Sequence, residues 1–306
     1  MSRELHILDS ERDTYIDKTL SEKRDFLKDH VKVEDSPELN KVVKGFNFEL
    51  LRDIFVDVFR ELGLNEPDEG LVDIKKIYKS TDPSADGMYN QTFKAITLNY
   101  NSFLDRAREA RFVKGLDVRV DLLVLRTYIH ELIHAASKQI DVVSLDNVPA
   151  DSKEVSMCGF AILSYSGEGE SETEESFFVD FDEAVTEKLA NEVFLEYCKR
   201  TQDFSDDELA NFDKIDSIHT DSRIKMLEEM IEQVSVESGA TKDDVWQKVK
   251  QGKLAGVKTV LDWIKELEQI FGENYLELLA KDSNEMRQHV ENLKDKRRKA
   301  EFEKED

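Results

Sequence analysis

Apolar residues recur at two different spacings along the chain, and each spacing predicts a different kind of element. Between residues 46 and 62 they recur every three or four positions, which is typical of an amphipathic helix, and Gly63 follows as a natural helix end. The same spacing predicts further helices at about 102–112, 118–138, 182–200, 205–213, 221–235, 241–252, 254–271 and 274–302. Residues 1–45 are dense in charge and predict one or two marginal helices.

Strand-like patterns occupy the regions between these helices. Residues 93–100 alternate between apolar and polar side chains, residues 71–78 also suit a strand, and residues 82–87 have turn chemistry. Residues 155–181 predict a hairpin with strands at 155–165 and 177–181 and a long acidic tip, preceded by a loop at 139–154. We therefore expect an α+β fold that is mostly helical. Three parts are predicted: a charged N-terminal segment 1–45, a core 46–200 and a C-terminal helical subdomain 201–306.

The residues that carry chemistry form an H-E-x-x-H sequence at positions 130–134, inside the apolar stretch 118–138. On a helix, His130 and His134 lie one turn apart on the same face, so both imidazoles can reach one metal ion at about 2.0–2.1 Å. Glu131 lies about 100° further around the helix, where its carboxylate can take a proton from a water bound to the ion. Burial of these polar groups among apolar neighbours is costly unless they are bonded, so the pattern favours a metal site.

A catalytic zinc ion takes three protein ligands and keeps one position open, so a third ligand is expected. The predicted helix that starts at Asp182 places Glu183 and Glu187 on one face. Glu183 is the candidate third ligand, and Glu187, one turn further along, can accept the N–H of a ligand histidine. The alternative is that both are ordinary acids of a first helical turn, where the helix dipole favours negative charge.

This combination resembles the gluzincins, the thermolysin-like clan of zinc metallopeptidases. In that family a second helix carries the pattern N-E-x-x-S/T-D/E. Residues 182–187, Asp-Glu-Ala-Val-Thr-Glu, match it with aspartate for asparagine and glutamate for the final acid. The resemblance implies three zinc ligands: His130, His134 and Glu183. It also implies that Glu131 is the general base and that Glu187 contacts a ligand histidine.

The resemblance covers residues 88–200 and implies a zincin-like fold. A small antiparallel sheet is expected before the active-site helix, with residues 93–100 as the edge strand that pairs with an extended substrate. The 49 residues from His134 to Glu183 exceed the usual family spacing, and the predicted hairpin fills this interval. No motif marks the family's transition-state donors. Tyr165 and His219 are the candidates, with ordinary surface residues as the alternative.

Composition narrows the classes of function. The chain has 306 residues and a formal net charge of −24, which repels nucleic-acid backbones and anionic lipid. No apolar run approaches the ~18 residues that span a membrane. Cys158 and Cys198 are too few for a disulfide framework and are interpreted as small core residues, so a reducing cytoplasm is the expected compartment.

The sequence therefore predicts a cytoplasmic zinc metallopeptidase. It would hydrolyse a peptide or protein substrate through a zinc-activated water, with Glu131 as general base, and would bind neither nucleic acid nor membrane. Two alternatives stay open: a non-catalytic protein in which the zinc is structural, and a helical interaction protein in which the motif is accidental.

Overall fold

Helices dominate the described part of the computed structural model, and two sheets accompany them. The structure describes residues 33–34, 36–65, 67, 77–80, 85–90, 95–137, 139–141, 152–166, 173–255, 265 and 267–270. The helices are α1 (Pro37–Val43), α2 (Phe48–Glu61), α3 (Tyr100–Val113), α4 (Val120–Ala136), α5 (Val179–Thr201), α6 (Asp206–Ser238) and α7 (Lys242–Ala255). The strands are β1 (Val33–Glu34), β2 (Ile77–Ser80), β3 (Gly87–Asn90), β4 (Ala95–Leu98), β5 (Gln139–Asp141), β6 (Ser152–Cys158), β7 (Ala161–Ser166) and β8 (Thr173–Phe177). The predicted α+β, mostly helical class is confirmed.

The described residues form two compact units. The first comprises those up to Ala136 together with Ala190–Ile218, and the second comprises those in Ser137–Leu189 and from His219 onward. Helix α5 is continuous and contributes its first half to the second unit and its second half to the first. The predicted division into 1–45, 46–200 and 201–306 stays a prediction.

The first sheet belongs to the first unit and has the strand order β1-β2-β4-β3. Strands β2 and β4 pair in parallel, whereas the other two pairings are antiparallel, so the sheet is mixed and the predicted antiparallel sheet is wrong. The prediction that residues 93–100 form an edge strand is also wrong, because β4 lies between β2 and β3. The polar side of the alternating pattern is buried as well, since Thr97 is 2% exposed and its hydroxyl donates to the carbonyl of Met88.

The second sheet belongs to the second unit and is an antiparallel meander in the order β5-β6-β7-β8. The predicted single strand 155–165 is two strands, because Gly159 takes a φ of 60° and turns the chain. The predicted strand 177–181 is also wrong, since β8 ends at Phe177 and α5 begins at Val179. Strand β5 and the start of β6 lie where the sequence predicted a loop at 139–154.

Helix α4 lies at the centre of the first unit and is apolar on nearly all sides. Its buried residues are Leu122, Leu123, Val124, Leu125, Arg126, Tyr128, Ile129, Glu131, Leu132, Ile133 and Ala135. A helix that is apolar all round is stable only when other elements surround it, and strands β3 and β4 pack against this one. The apolar stretch 118–138 is therefore a buried helix, as predicted.

The remaining helices follow the predicted spacing, with one difference. Helices α2, α3, α5 and α7 match the predictions at 46–62, 102–112, 182–200 and 241–252. Helix α6 is continuous from Asp206 to Ser238, where two helices were predicted, because no glycine or proline interrupts it. The predictions for residues 1–32, 256–264 and 271–306 lie outside the described residues. Within the described chain, no helix is both long and apolar enough to span a membrane.

Candidate metal centre

Aromatic packing fixes the middle of α4 within the first unit. The ring of Tyr128 lies 6.4 Å from that of Phe46 and 5.8 Å from that of Phe48, measured between centroids. Burial raises the pKa of the Tyr128 hydroxyl well above its ordinary value. Two residues before Tyr128, Arg126 Nε donates to Asn191 Oδ1 on the second half of α5 at 2.7 Å. Helix α4 is therefore held both by apolar contacts and by a polar contact to the neighbouring helix.

The two motif histidines converge from the last turns of α4. Their Nε2 atoms lie 3.1 Å apart, and their ring planes are inclined by 62°. Two imidazole nitrogens bound to one zinc ion at tetrahedral angles are separated by about 3.3 Å. Both side chains are half-buried, so the site is accessible while partly shielded from water. The separation of His130 and His134 fits two ligands of a single ion.

Glu183 completes a group of three possible ligands. One ligand atom from each of His130, His134 and Glu183 lies within 4.8 Å of the other two. Among the residues that the structure describes, no fourth possible ligand belongs to this group. Two imidazole nitrogens and one carboxylate oxygen are a donor set that suits zinc and leaves a fourth position open.

Contacts in the second half of α5 determine where this helix lies in the first unit. Tyr197 accepts a hydrogen bond from the backbone N–H of Asn47 at 2.7 Å, and Phe194 packs against Phe212 at 4.9 Å between ring centroids. Arg200 forms an ion pair with Asp57 at 3.0 Å. Glu183 lies in the first half of the same helix, which belongs to the second unit.

The side chain of Glu131 is buried, with 6% of its surface exposed, and strand β3 passes beside it. A Cβ atom placed on Gly87 would lie 2.8 Å from Glu131 Oε1 and 2.7 Å from Thr127 Cγ2. Gly87 is therefore required by the close approach of β3 to α4. From the sequence, Gly87 was interpreted only as part of a turn, because it directly follows the turn-like residues Asp-Pro-Ser-Ala-Asp.

A buried ion pair near Glu183 was missed from the sequence. Lys253 in the last turn of α7 is 0% exposed, Asp182 is 2% exposed, and Nζ lies 2.5 Å from Oδ2. The sequence offered one signal, since Lys253 follows Val245 and Val249 at steps of four residues on an apolar helix face. Such a position is normally apolar, so a lysine there implies a buried partner.

The other predicted site residues are not tested by the structure. Glu187 is half-buried and lies one turn beyond Glu183 on α5, and its contact with a ligand histidine stays a prediction. Tyr165 lies on β7 opposite Glu154 and Glu174, but its side chain and that of His219 on α6 are outside the described residues. Their roles as transition-state donors likewise stay predictions.

Cys198 is not a member of this donor group. Cys198 is buried on α5, where desolvation raises its pKa to about 12, so it remains a thiol. The prediction that Cys198 is a small core residue is confirmed. The side chain of Cys158 lies outside the described residues.

Comparison with known proteins identified no similar protein. No protein-family model, no curated protein and no solved structure matches the chain. The resemblance to gluzincins is therefore carried by the motif residues and stays a prediction.

Proposed function

We propose that this protein is a zinc-dependent metallopeptidase of the gluzincin type with a zincin-like fold. The observation that supports this most is the grouping of ligand atoms from His130, His134 and Glu183. These residue types and their number are those of a catalytic zinc site that keeps one position open. The small number of cysteines supports a reducing compartment such as the cytoplasm.

The proposed reaction divides the work between the metal ion and the chain. A zinc ion held by these residues would act as a Lewis acid, which lowers the pKa of a bound water and polarises a substrate carbonyl. Glu131 accepts the proton of the attacking water and then passes it to the leaving amine. Its burial beside β3 gives the carboxylate a fixed position, which general-base catalysis requires.

The substrate we propose is an extended peptide segment. The family resemblance implies pairing with an edge strand, and β3 takes this role in place of residues 93–100. Strand β3 is the outer strand next to β4 in the described sheet, and its Gly87 lies against Glu131. A peptide that adds to this edge would gain main-chain hydrogen bonds and would lie beside the proposed base.

A structural zinc site is the main alternative. Structural sites usually hold zinc with four protein ligands, whereas the group in the described residues has three. This count favours a catalytic site. An accidental motif in a helical interaction protein would predict no bound metal.

The test combines metal content with two glutamate variants. We expect about one zinc per chain after purification without chelator, measured by elemental analysis. Glu131→Gln should retain zinc and lose hydrolysis of a mixed fluorogenic peptide library. Glu183→Gln should lose much of the zinc, because the amide is a poor ligand. Glu192→Gln, at an exposed position nine residues beyond Glu183 on α5, is the matched control and should change neither property.

The outcomes separate the proposal from its alternatives. A metal-free wild type whose folding is unaffected by EDTA would contradict the metal site itself. Zinc without peptide hydrolysis in the wild type would favour a structural site. Full activity of Glu131→Gln would refute its role as the base and leave the metal site standing.

A further inference from the structure

We infer that Asp182 and Lys253 are positioning residues that fix Glu183 for metal binding. The inference rests on the proposed function, and it assigns a role to a buried pair that the H-E-x-x-H motif does not include. Asp182 directly precedes Glu183 in the chain, so their Cα atoms are about 3.8 Å apart. Any shift of Asp182 is therefore passed to the candidate ligand.

Asp182 joins three elements of the second unit. Its Oδ2 accepts a hydrogen bond from Lys253 Nζ on α7 at 2.5 Å, and its Oδ1 accepts one from the backbone N–H of Phe160 at 2.8 Å. Phe160 lies in the turn between β6 and β7. Each carboxylate oxygen thus contacts a different element, and both contacts hold the first turn of α5.

Two glycines lie in close packing around this pair. A Cβ atom on Gly159 would lie 2.6 Å from Asp182 Oδ1 and 2.6 Å from Lys253 Cδ. A Cβ atom on Gly252 would lie 2.8 Å from the Phe160 ring. Gly159 therefore allows the β6–β7 turn to approach the carboxylate closely, and Gly252 allows α7 to approach the Phe160 ring. The Asp182 carboxylate is therefore in close contact with the β6–β7 turn.

Stability alone is a poor explanation for such a pair. Buried ion pairs can often be replaced by apolar residues without loss of stability, because the desolvation of two charges offsets their attraction. A metal ligand, by contrast, must be held within about 0.5 Å of its productive position. The position of the pair next to Glu183 meets this second requirement, and contacts that support a ligand typically change metal affinity by about 10–100-fold.

The test is the zinc Kd of the full chain, measured by competition with a chromophoric chelator well below the unfolding temperature. Lys253→Met should raise the Kd at least about tenfold. Adding Asp182→Asn should restore the Kd to within about threefold of wild type, since the amide is uncharged and still accepts the Phe160 N–H. Lys242→Met, which breaks an exposed ion pair with Glu232 at the start of α7, is the control and should leave the Kd unchanged.

A second pair of variants keeps the test valid if Lys253→Met does not fold. Asp182→Asn/Lys253→Met and Asp182→Ala/Lys253→Met are both uncharged at these positions, and only the first retains the acceptor for Phe160. We expect the second to bind zinc at least about tenfold more weakly. Equal Kd values in this pair, or an unchanged Kd in folded Lys253→Met, would overturn the positioning role alone. A wild type that binds no zinc would overturn this role together with the proposed function.

Discussion

The two helices that carry the candidate ligands are held in different ways. Helix α4 is surrounded by apolar side chains, and its histidines follow a run of buried residues. The first turn of α5 combines the packing of Phe181 against Phe160 with an ion pair between Asp182, which is 2% exposed, and Lys253, which is 0% exposed. Apolar packing spreads its stabilisation over many contacts, whereas the loss of one partner of a buried ion pair leaves the other charge buried and uncompensated. We therefore expect single substitutions to destabilise these two helices by different mechanisms, an unpaired charge in α5 and a cavity in α4.

The largest loss of stability is expected for Lys253→Met. Removal of the ammonium leaves the carboxylate of Asp182 buried without its charge partner, and the free energy of unfolding should fall by about 3–5 kcal/mol. Urea denaturation in EDTA measures this effect without any contribution from metal. The exposed ion pair of Lys242 with Glu232 provides the contrast, and Lys242→Met should cost less than about 1 kcal/mol. Equal losses of unfolding free energy in Lys253→Met and Lys242→Met would show that burial of the ion pair does not determine the size of the loss.

A core truncation in α4 should cost slightly less. Leu125 is 0% exposed, so Leu125→Ala removes buried methyl groups and leaves a cavity, at about 2–5 kcal/mol. The matched control is Leu195→Ala on α5, where the leucine is 57% exposed and the change should stay within about 0.5 kcal/mol. The same urea experiment distinguishes them. A large loss in the Leu195 variant would contradict the described packing of α5.

Gly87→Ala tests the close approach of β3 to α4. The added methyl group would meet Thr127 Cγ2 and Glu131 Oε1, so we expect a loss of about 1–3 kcal/mol. Thr127→Ser removes the Cγ2 atom and should recover part of this loss in the double variant. Additive effects of the two substitutions in a double-mutant cycle would show that these groups are not in contact.

Apart from the control variants, the smallest effect is expected at the start of α6, where polar contacts are exposed. Ser205 Oγ accepts the backbone N–H of Glu208 at 3.3 Å, and Glu208 Oε2 accepts the backbone N–H of Ser205 at 2.8 Å. Ser205→Ala should cost about 1 kcal/mol, as is usual for the loss of a helix N-cap. This loss should be well below that of Lys253→Met, because water can replace the exposed contacts.

The pH dependence of this cap has a defined sign. Hydrogen bonds from the Ser205 backbone N–H and hydroxyl lower the pKa of Glu208. A carboxyl whose pKa is lowered in the folded state contributes stability above its unfolded pKa and loses it as the pH falls through the folded pKa. The stability difference between wild type and Glu208→Gln should therefore persist at neutral pH and vanish below the ordinary glutamate range of about 4.3. A difference that grows on acidification would contradict the cap.

Local patterns predicted the helices well and the strands less well. Helix α4 and the alignment of His130 with His134 follow from residues that are neighbours in the chain. The predicted edge strand at 93–100 failed because an alternating pattern does not reveal which faces and edges are covered. The prediction of a single strand at 155–165 missed the turn at Gly159, because apolar residues continue on both sides of it.

By itself, the sequence determined the helical periods, the one-turn spacing of His130 and His134 and the acidic pair at the start of α5, because these depend on short-range geometry. Only the tertiary structure decided that β3 passes beside Glu131, that Lys253 meets Asp182 and that Glu183 joins the two histidines. Asp182 and Lys253 are 71 residues apart in the chain. Their contact depends on how separate elements pack, and no periodicity in either segment specifies it.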